Sequence, residues 1–172
     1  MRTILHVFLL AVAALPALAG EVIGNTYISE KDGVIEVAAE DWEIKDVEQP
    51  GAAQIARFDL KSTPQAGFTA SALLFRVGSF GGVLKPEAII NQLRGSLESK
   101  GAEVSPMEAR RFAGKRVLAF SYVMQNDQGK ANGQAYSLEG PKAIYWFMCS
   151  SNVRIWEHAQ KKCDELIEKT KY

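Results

Sequence analysis

Two cysteines are the first residues whose types could do chemistry: Cys149 in the apolar run AIYWFMCSS and Cys163 in the helical run WEHAQKKCDELIE. Such a pair can form a disulfide, act as thiolates, or supply half of a metal site. Nucleophilic work needs an activating base, and zinc needs further thiolate or imidazole ligands. Histidine is scarce: His6 lies in the N-terminal apolar run, and His158 sits on the helical run five residues before Cys163. Five residues along a helix point two side chains to different faces, so neither a Cys–His pair nor a Ser-His-Asp set can be assembled. The cysteines therefore read as a disulfide, the commoner fate of an even pair in an oxidising compartment, with two inert buried thiols as the alternative. A loop of this length closed by a bridge stabilises by about 3 kcal/mol in the chain-entropy model. The condition is that the two Cα atoms approach within about 7 Å.

Four cations, Arg110, Arg111, Lys115 and Arg116, cluster around the Ala113–Gly114 turn signal. They read either as a docking patch for an acidic partner or as guards of an exposed strand edge against edge-to-edge pairing. The stretch GSFGG, Gly78 to Gly82, precedes a helix start, where free N–H groups can bind phosphate. It lacks the lysine–serine pair of a P-loop and any dinucleotide fingerprint, and reads as a connection. Phe80 within it is either tucked under the loop or offered to a partner. Glu40–Asp41 and Asp164–Glu165 are neighbours in sequence, so they do not converge as acid and base. Trp42, Trp146 and Trp156 could stack a ring-bearing ligand, but each falls at a packing position of its element. No catalytic, cofactor-binding or metal-binding set emerges, and the expectation is a protein that is not an enzyme.

The elements that must position these residues begin after a leader. MRTILHVFLLAVAALPALAG has a basic start, an apolar run and the small-residue site Ala17-Leu18-Ala19, the pattern of a signal peptide cut after Ala19. The expected mature chain, 20–172, is one domain of 153 residues with a real core. Its charges nearly balance, since the whole chain carries 20 basic and 20 acidic residues. Such a balance makes no electrostatic case for nucleic acid or an anionic membrane. No second apolar run of spanning length follows, so stable membrane insertion after cleavage is not expected.

Val22 to Ser29 and Val34 to Ala38 are β-rich runs flanking a Lys-Asp-Gly turn signal, continuing into EDWEIKDV. Ala53 to Leu60 and FTASALLFRV read as two more strands. Pro86 then opens a helix, Ile89, Ile90, Leu93 and Leu97 recur at helical spacing, and Gly101 ends it. EVSPMEARRF, KRVLAFSYVM, ANGQAYSL and KAIYWFMCS return to period two and read as an antiparallel meander. The last of these is apolar on both faces, the mark of a strand in the middle of a covered sheet. Asn152 is the expected N-cap of a closing helix whose Ile155, Trp156, Ala159, Cys163, Leu166 and Ile167 form its core stripe.

In this order of elements, and in EVAAEDWEI, LKPEAI, FAGKRVLAFSY and KAIYWFMC, the chain resembles the PsbP-like superfamily. The resemblance implies an α+β fold: an antiparallel β-sheet with helices packed on both faces, a three-layer sandwich. It also implies a binding or assembly role rather than catalysis, and the leader makes the expected location periplasmic or secreted. The expected function is that of a non-enzymatic exported accessory protein docking on another periplasmic or envelope protein. The alternatives are a periplasmic inhibitor or immunity protein, and a small-ligand carrier using a groove between sheet and helix. No cofactor is implied.

Overall fold

The computed structural model describes residues 20–29, 35–45, 54–78, 85–126, 129–141 and 143–172. The expected signal peptide, 1–19, and the loop residue Phe80 lie outside the described residues. The chain opens with three short strands, β1 (Glu21–Ile23), β2 (Thr26–Ser29) and β3 (Ile35–Ala38). β4 (Trp42–Lys45), β5 (Gln54–Leu60) and β6 (Ala70–Gly78) lead to helix α1 (Pro86–Glu98). β7 (Glu103–Val104), β8 (Glu108–Phe112), β9 (Lys115–Asn126), β10 (Gly129–Glu139) and β11 (Ala143–Asn152) follow. A 3₁₀ turn, helix α2 (Trp156–Glu168) and β12 (Thr170–Lys171) complete the order.

These strands form two sheets, antiparallel throughout. The large one runs β4-β5-β6-β11-β10-β9, with β7 and β8 both pairing along the far side of β9. The small one runs β1-β2-β3-β12. The expected α+β three-layer sandwich, helices over both faces of a single sheet, is therefore corrected. Among the described residues the protein is mostly β, in sheets of eight and four strands, and its two helices are 13 residues each. The physical reason lies at Ala39. Its N–H donates to the Asn25 carbonyl at 2.8 Å and its carbonyl accepts from the Trp42 N–H at 3.0 Å, turning the chain before β4 begins. β2 and β3 are thus detached from the strand that starts at Trp42, and they close with β12 into a sheet of their own.

The core follows from alternation. In β11, Ala143, Tyr145, Phe147 and Cys149 share one face, as period two requires, and all four are buried. On that face the small sheet covers the β5–β6 side: the Tyr27 ring meets Phe58 edge-on at 6.3 Å, and Phe58 lies 6.1 Å from Phe147. Beside it α2 brings Ile155, Ala159, Cys163, Leu166 and Ile167 into the same apolar cluster as Val117, Ala119 and Tyr136. A separate cluster holds Ile90 and Leu97 of α1 against Leu118, Phe120 and Tyr122. Burying each such side chain contributes about 1.5–3 kcal/mol.

Local signals explain where elements stop. Gly101, at φ 84°, takes the left-handed conformation that ends α1, with the Ala102 N–H returning to the Leu97 carbonyl at 3.1 Å. EVSPMEARRF is not one strand but two, β7 and β8. Pro106 has no N–H to give the ladder, and the Ser105 side chain accepts from the Ser121 N–H at 2.9 Å across the interruption. Asn152 caps the 3₁₀ turn at 153–155 rather than α2 itself, its Oδ1 accepting from the Arg154 N–H at 3.0 Å. No helix among the described residues is long and apolar enough to cross a membrane.

Candidate functional site

Cys149 on β11 and Cys163 on α2 are joined in a disulfide, with Cα atoms 6.3 Å apart and a sequence separation of 14. Both are buried, so the bond is a staple between sheet and helix rather than a presented redox group. Beside it lies a polar network that no local pattern in the chain announces. Gln134 pairs with Cys149 across the β10–β11 ladder and is fully buried. Its amide oxygen accepts from both terminal nitrogens of Arg110 at 2.7 Å, and its amide N–H donates to the Tyr136 hydroxyl at 3.2 Å. That hydroxyl donates to Asp164 Oδ1 on α2 at 2.7 Å. Arg110 closes the ring with contacts to Glu108 and, at 3.7 Å, to Asp164.

A buried polar set is satisfied or costly, and this one is satisfied. Its chemistry is structural: burial, and secondly the Asp164 carboxylate, push the Tyr136 hydroxyl far above the ordinary tyrosine range. Tyr136 therefore stays protonated and cannot act as a base. Burial also pushes the Tyr122 hydroxyl up to about 12. The sign follows directly. A phenol whose folded pKa exceeds its unfolded value of about 10 contributes stability that is full below about pH 10 and lost as pH rises through the folded value. Spectrophotometric titration of the five tyrosines should therefore show at least two that ionise only at or above about pH 12 or on unfolding, and Tyr122→Phe should remove one of them.

The four cations of the β8–β9 hairpin do not form one patch. The hairpin turns at Ala113 and Gly114, both at positive φ (47° and 78°), which matches the twist of a two-residue turn. Alternation then divides the charges. Arg110 points into the network above, and Lys115 donates to the Tyr172 carbonyl at 2.7 Å while lying 3.8 Å over its ring. Arg111 and Arg116 are directly opposed across the ladder on the other face. Arg116 is 60% exposed at its side chain and reaches Glu87 of α1 at 3.2 Å. Arg111 donates to the Gly114 carbonyl at 3.2 Å. Of the predicted docking residues, only Arg111 and Arg116 are thus brought together on an exposed surface.

The tryptophans take packing roles: Trp42 is buried, Trp156 packs on the main cluster, and Trp146 lies 6.5 Å from Phe75. His158 is half-buried on α2. Among the described residues no group of three or more His, Cys, Asp and Glu converges to hold a metal ion.

At the opposite end of β9 from the charged hairpin lies a groove of about 480 Å³. Phe68 and Thr69 from the connection before β6, Ser71 of β6, Lys130 of β10, and Ser150 and Asn152 of β11 shape it. Ser71 and Ser150 are paired neighbours in the ladder, so the floor carries short hydroxyl side chains. It is not the expected groove between sheet and helix. It sits where three strand ends meet, and nothing in the periodicity of any one strand marks it.

Neither a protein-family model nor a curated protein sequence matches this chain. Solved structures do. The solution structure of cyanobacterial PsbP (CyanoP) from Synechocystis sp. PCC 6803 matches with a TM-score of 0.57 at 13% identity, over 89% of this chain and 92% of that one. LpqN, involved in cell envelope biogenesis of Mycobacterium tuberculosis, matches with a TM-score of 0.54 at 12% identity, over 79% of this chain and 81% of that one. PA94 from Pseudomonas aeruginosa, a protein of unknown function and putative regulator by its description, matches at 0.53 and 16% identity, over 84% and 95%. Identities this low speak to the fold alone, and that fold is the PsbP-like one.

Proposed function

We propose that this chain is a non-enzymatic accessory protein of the cell envelope that docks on an acidic surface of another protein through the exposed face of the β8–β9 hairpin. The observation that carries the reading is the juxtaposition of Arg111 and Arg116. Like charges directly opposed across a ladder destabilise a strand pair. Edge protection would be met by Arg111 alone on the open strand β8; Arg116 faces it from β9, which meets β10 only from Leu118 onward. Within the chain Glu87 offsets the charge of Arg116, and a carboxylate-bearing partner would offset that of Arg111 as well. A buried disulfide suits an oxidising compartment, in line with the leader-like N-terminus, and so supports export.

The test is recovery of partner protein by the mature chain from its own envelope extract, followed by native mass spectrometry. Arg111→Glu with Arg116→Glu should reduce recovery at least about tenfold, and wild-type recovery should fall as salt is raised from about 50 to 300 mM. Equal recovery by the double variant, with folding intact, would leave the arginines as edge guards and remove this face from the function.

A further inference from the structure

The groove at the far end of β9 carries chemistry that hairpin docking does not use. Its floor carries two short side chains, Ser71 and Ser150, side by side in the ladder. A ligand can lie close against the sheet there, up to the Tyr122 ring that covers Gly133 on the next strand. Ser71 donates to Asp59 at 2.8 Å, so its oxygen remains available to accept. Thr69 is exposed, and its hydroxyl has no partner among the described residues. Asn152 uses only its oxygen, for the Arg154 N–H, which leaves its amide N–H₂ group to donate into the groove.

Charge and shape narrow the ligand. Lys130 stands on the rim, exposed and without a carboxylate partner among the described residues. Arg154 lies 5.6 Å over the Phe68 ring. Among the described residues the nearby carboxylate Asp59 is already matched by Arg57 at 2.8 Å and Lys45 at 3.3 Å. The groove thus faces an incoming molecule with a cationic excess. Its lining of hydroxyls and an amide, with a single ring as apolar wall, suits neither a lipid nor a fused aromatic. A volume of about 480 Å³ lies within the range of small-molecule sites.

From these features we infer that the groove binds a small acidic saccharide, a hydroxylated ring bearing one carboxylate. Ser71, Thr69, Ser150 and Asn152 exchange hydrogen bonds with its hydroxyls. Phe68 forms the apolar wall, and Lys130 takes the carboxylate. The same chemistry is offered by a free sugar acid and by the terminal unit of an acidic glycan. This site is independent of the hairpin, from which it is separated by the length of β9.

Sodium glucuronate, an oligomer of galacturonate, glucose and sodium acetate are titrated into the mature, disulfide-bonded protein while backbone amide shifts are followed by NMR. Glucuronate should produce saturable shifts at 69–71, 130–131 and 150–152, with a dissociation constant of about 1 mM. Glucose should bind about tenfold more weakly and acetate should leave these amides unmoved, because one charge-assisted bond separates the sugars and the hydroxyl contacts separate both from acetate. Binding of the oligomer at least as tight as that of the monomer would assign the source to a glycan terminus, and exclusion of the oligomer to a free sugar acid; both support the site. Lys130→Gln should remove the preference for glucuronate over glucose. Asn152→Asp keeps the capping oxygen but replaces the donating amide with a second carboxylate, and should abolish glucuronate binding while weakening glucose binding less. Absent shifts, shifts equal for acetate and glucuronate, or equal affinity for glucose and glucuronate would each overturn the inference. The Arg111→Glu, Arg116→Glu variant should bind glucuronate normally, so failure of docking and failure of the groove can be told apart.

Discussion

Reducing the Cys149–Cys163 disulfide is expected to lower the free energy of unfolding by about 3 kcal/mol. The bond closes a segment of 14 residues that contains the end of β11, the 3₁₀ turn and the first half of α2. In the reduced chain that segment regains its freedom when unfolded, and α2 must be held on the sheet by burial and by the Arg110–Gln134–Tyr136–Asp164 ring alone. For a domain of this size, about 3 kcal/mol corresponds to roughly 6–12 °C in Tm. Scanning calorimetry with and without a phosphine reductant, beside the Cys149→Ala, Cys163→Ala variant, gives the measurement. A loss below about 1 kcal/mol would mean that packing already positions the helix and that the bond contributes little.

Gly133→Ala is the second large effect. A Cβ on Gly133 would stand 2.1 Å from Cζ of the Tyr122 ring and 2.4 Å from its hydroxyl oxygen, distances that real atoms do not adopt. The ring cannot easily retreat. It is buried, lies 6.4 Å from Phe120, and its hydroxyl donates to the Cys149 carbonyl at 3.4 Å. Overpacking a core in this way costs about 1–3 kcal/mol, and the lost hydroxyl contact places the substitution at the upper end. The same change in a Tyr122→Ala background should be neutral or stabilise by up to about 1 kcal/mol, because the clash is gone and alanine restricts the unfolded chain more than glycine. A double-mutant cycle by urea denaturation measures the difference. Equal cost in both backgrounds would show that the glycine is needed for its own backbone and not for the ring above it.

The two expectations differ in how they could be foreseen. The disulfide was open to a sequence argument because each cysteine sits on a strongly patterned element. A helix following β11 with its apolar stripe inward must fold back near that strand. A glycine within a strand reads as an ordinary weak point, and at Gly133 no local pattern tells which aromatic ring will lie over it. The same holds for Gln134. As a polar residue in a period-two run it invites a solvent-facing assignment, and only Arg110 from a strand two ladders away makes its burial tolerable.

What the amino-acid sequence determined by itself is what nearest neighbours along the chain determine. Period two sets the strands and the two faces of β11. Pro86 and Gly101 bound α1, and the turn signals set the hairpins at Gly114 and before Ile35. These depend on sterics and burial within a few residues, so they survive whatever the rest of the chain does. The tertiary structure decided which strands share a sheet, and with it the failure of the three-layer expectation. A break of three residues at Ala39-Glu40-Asp41 sends the early strands into a separate sheet. It also decided that the cationic cluster divides, Arg110 and Lys115 on one face of the hairpin and Arg111 with Arg116 on the other, and that three strand ends enclose a groove. Pairing register and the meeting of distant ends are set by contacts between residues far apart in sequence, whose free energy no local period records.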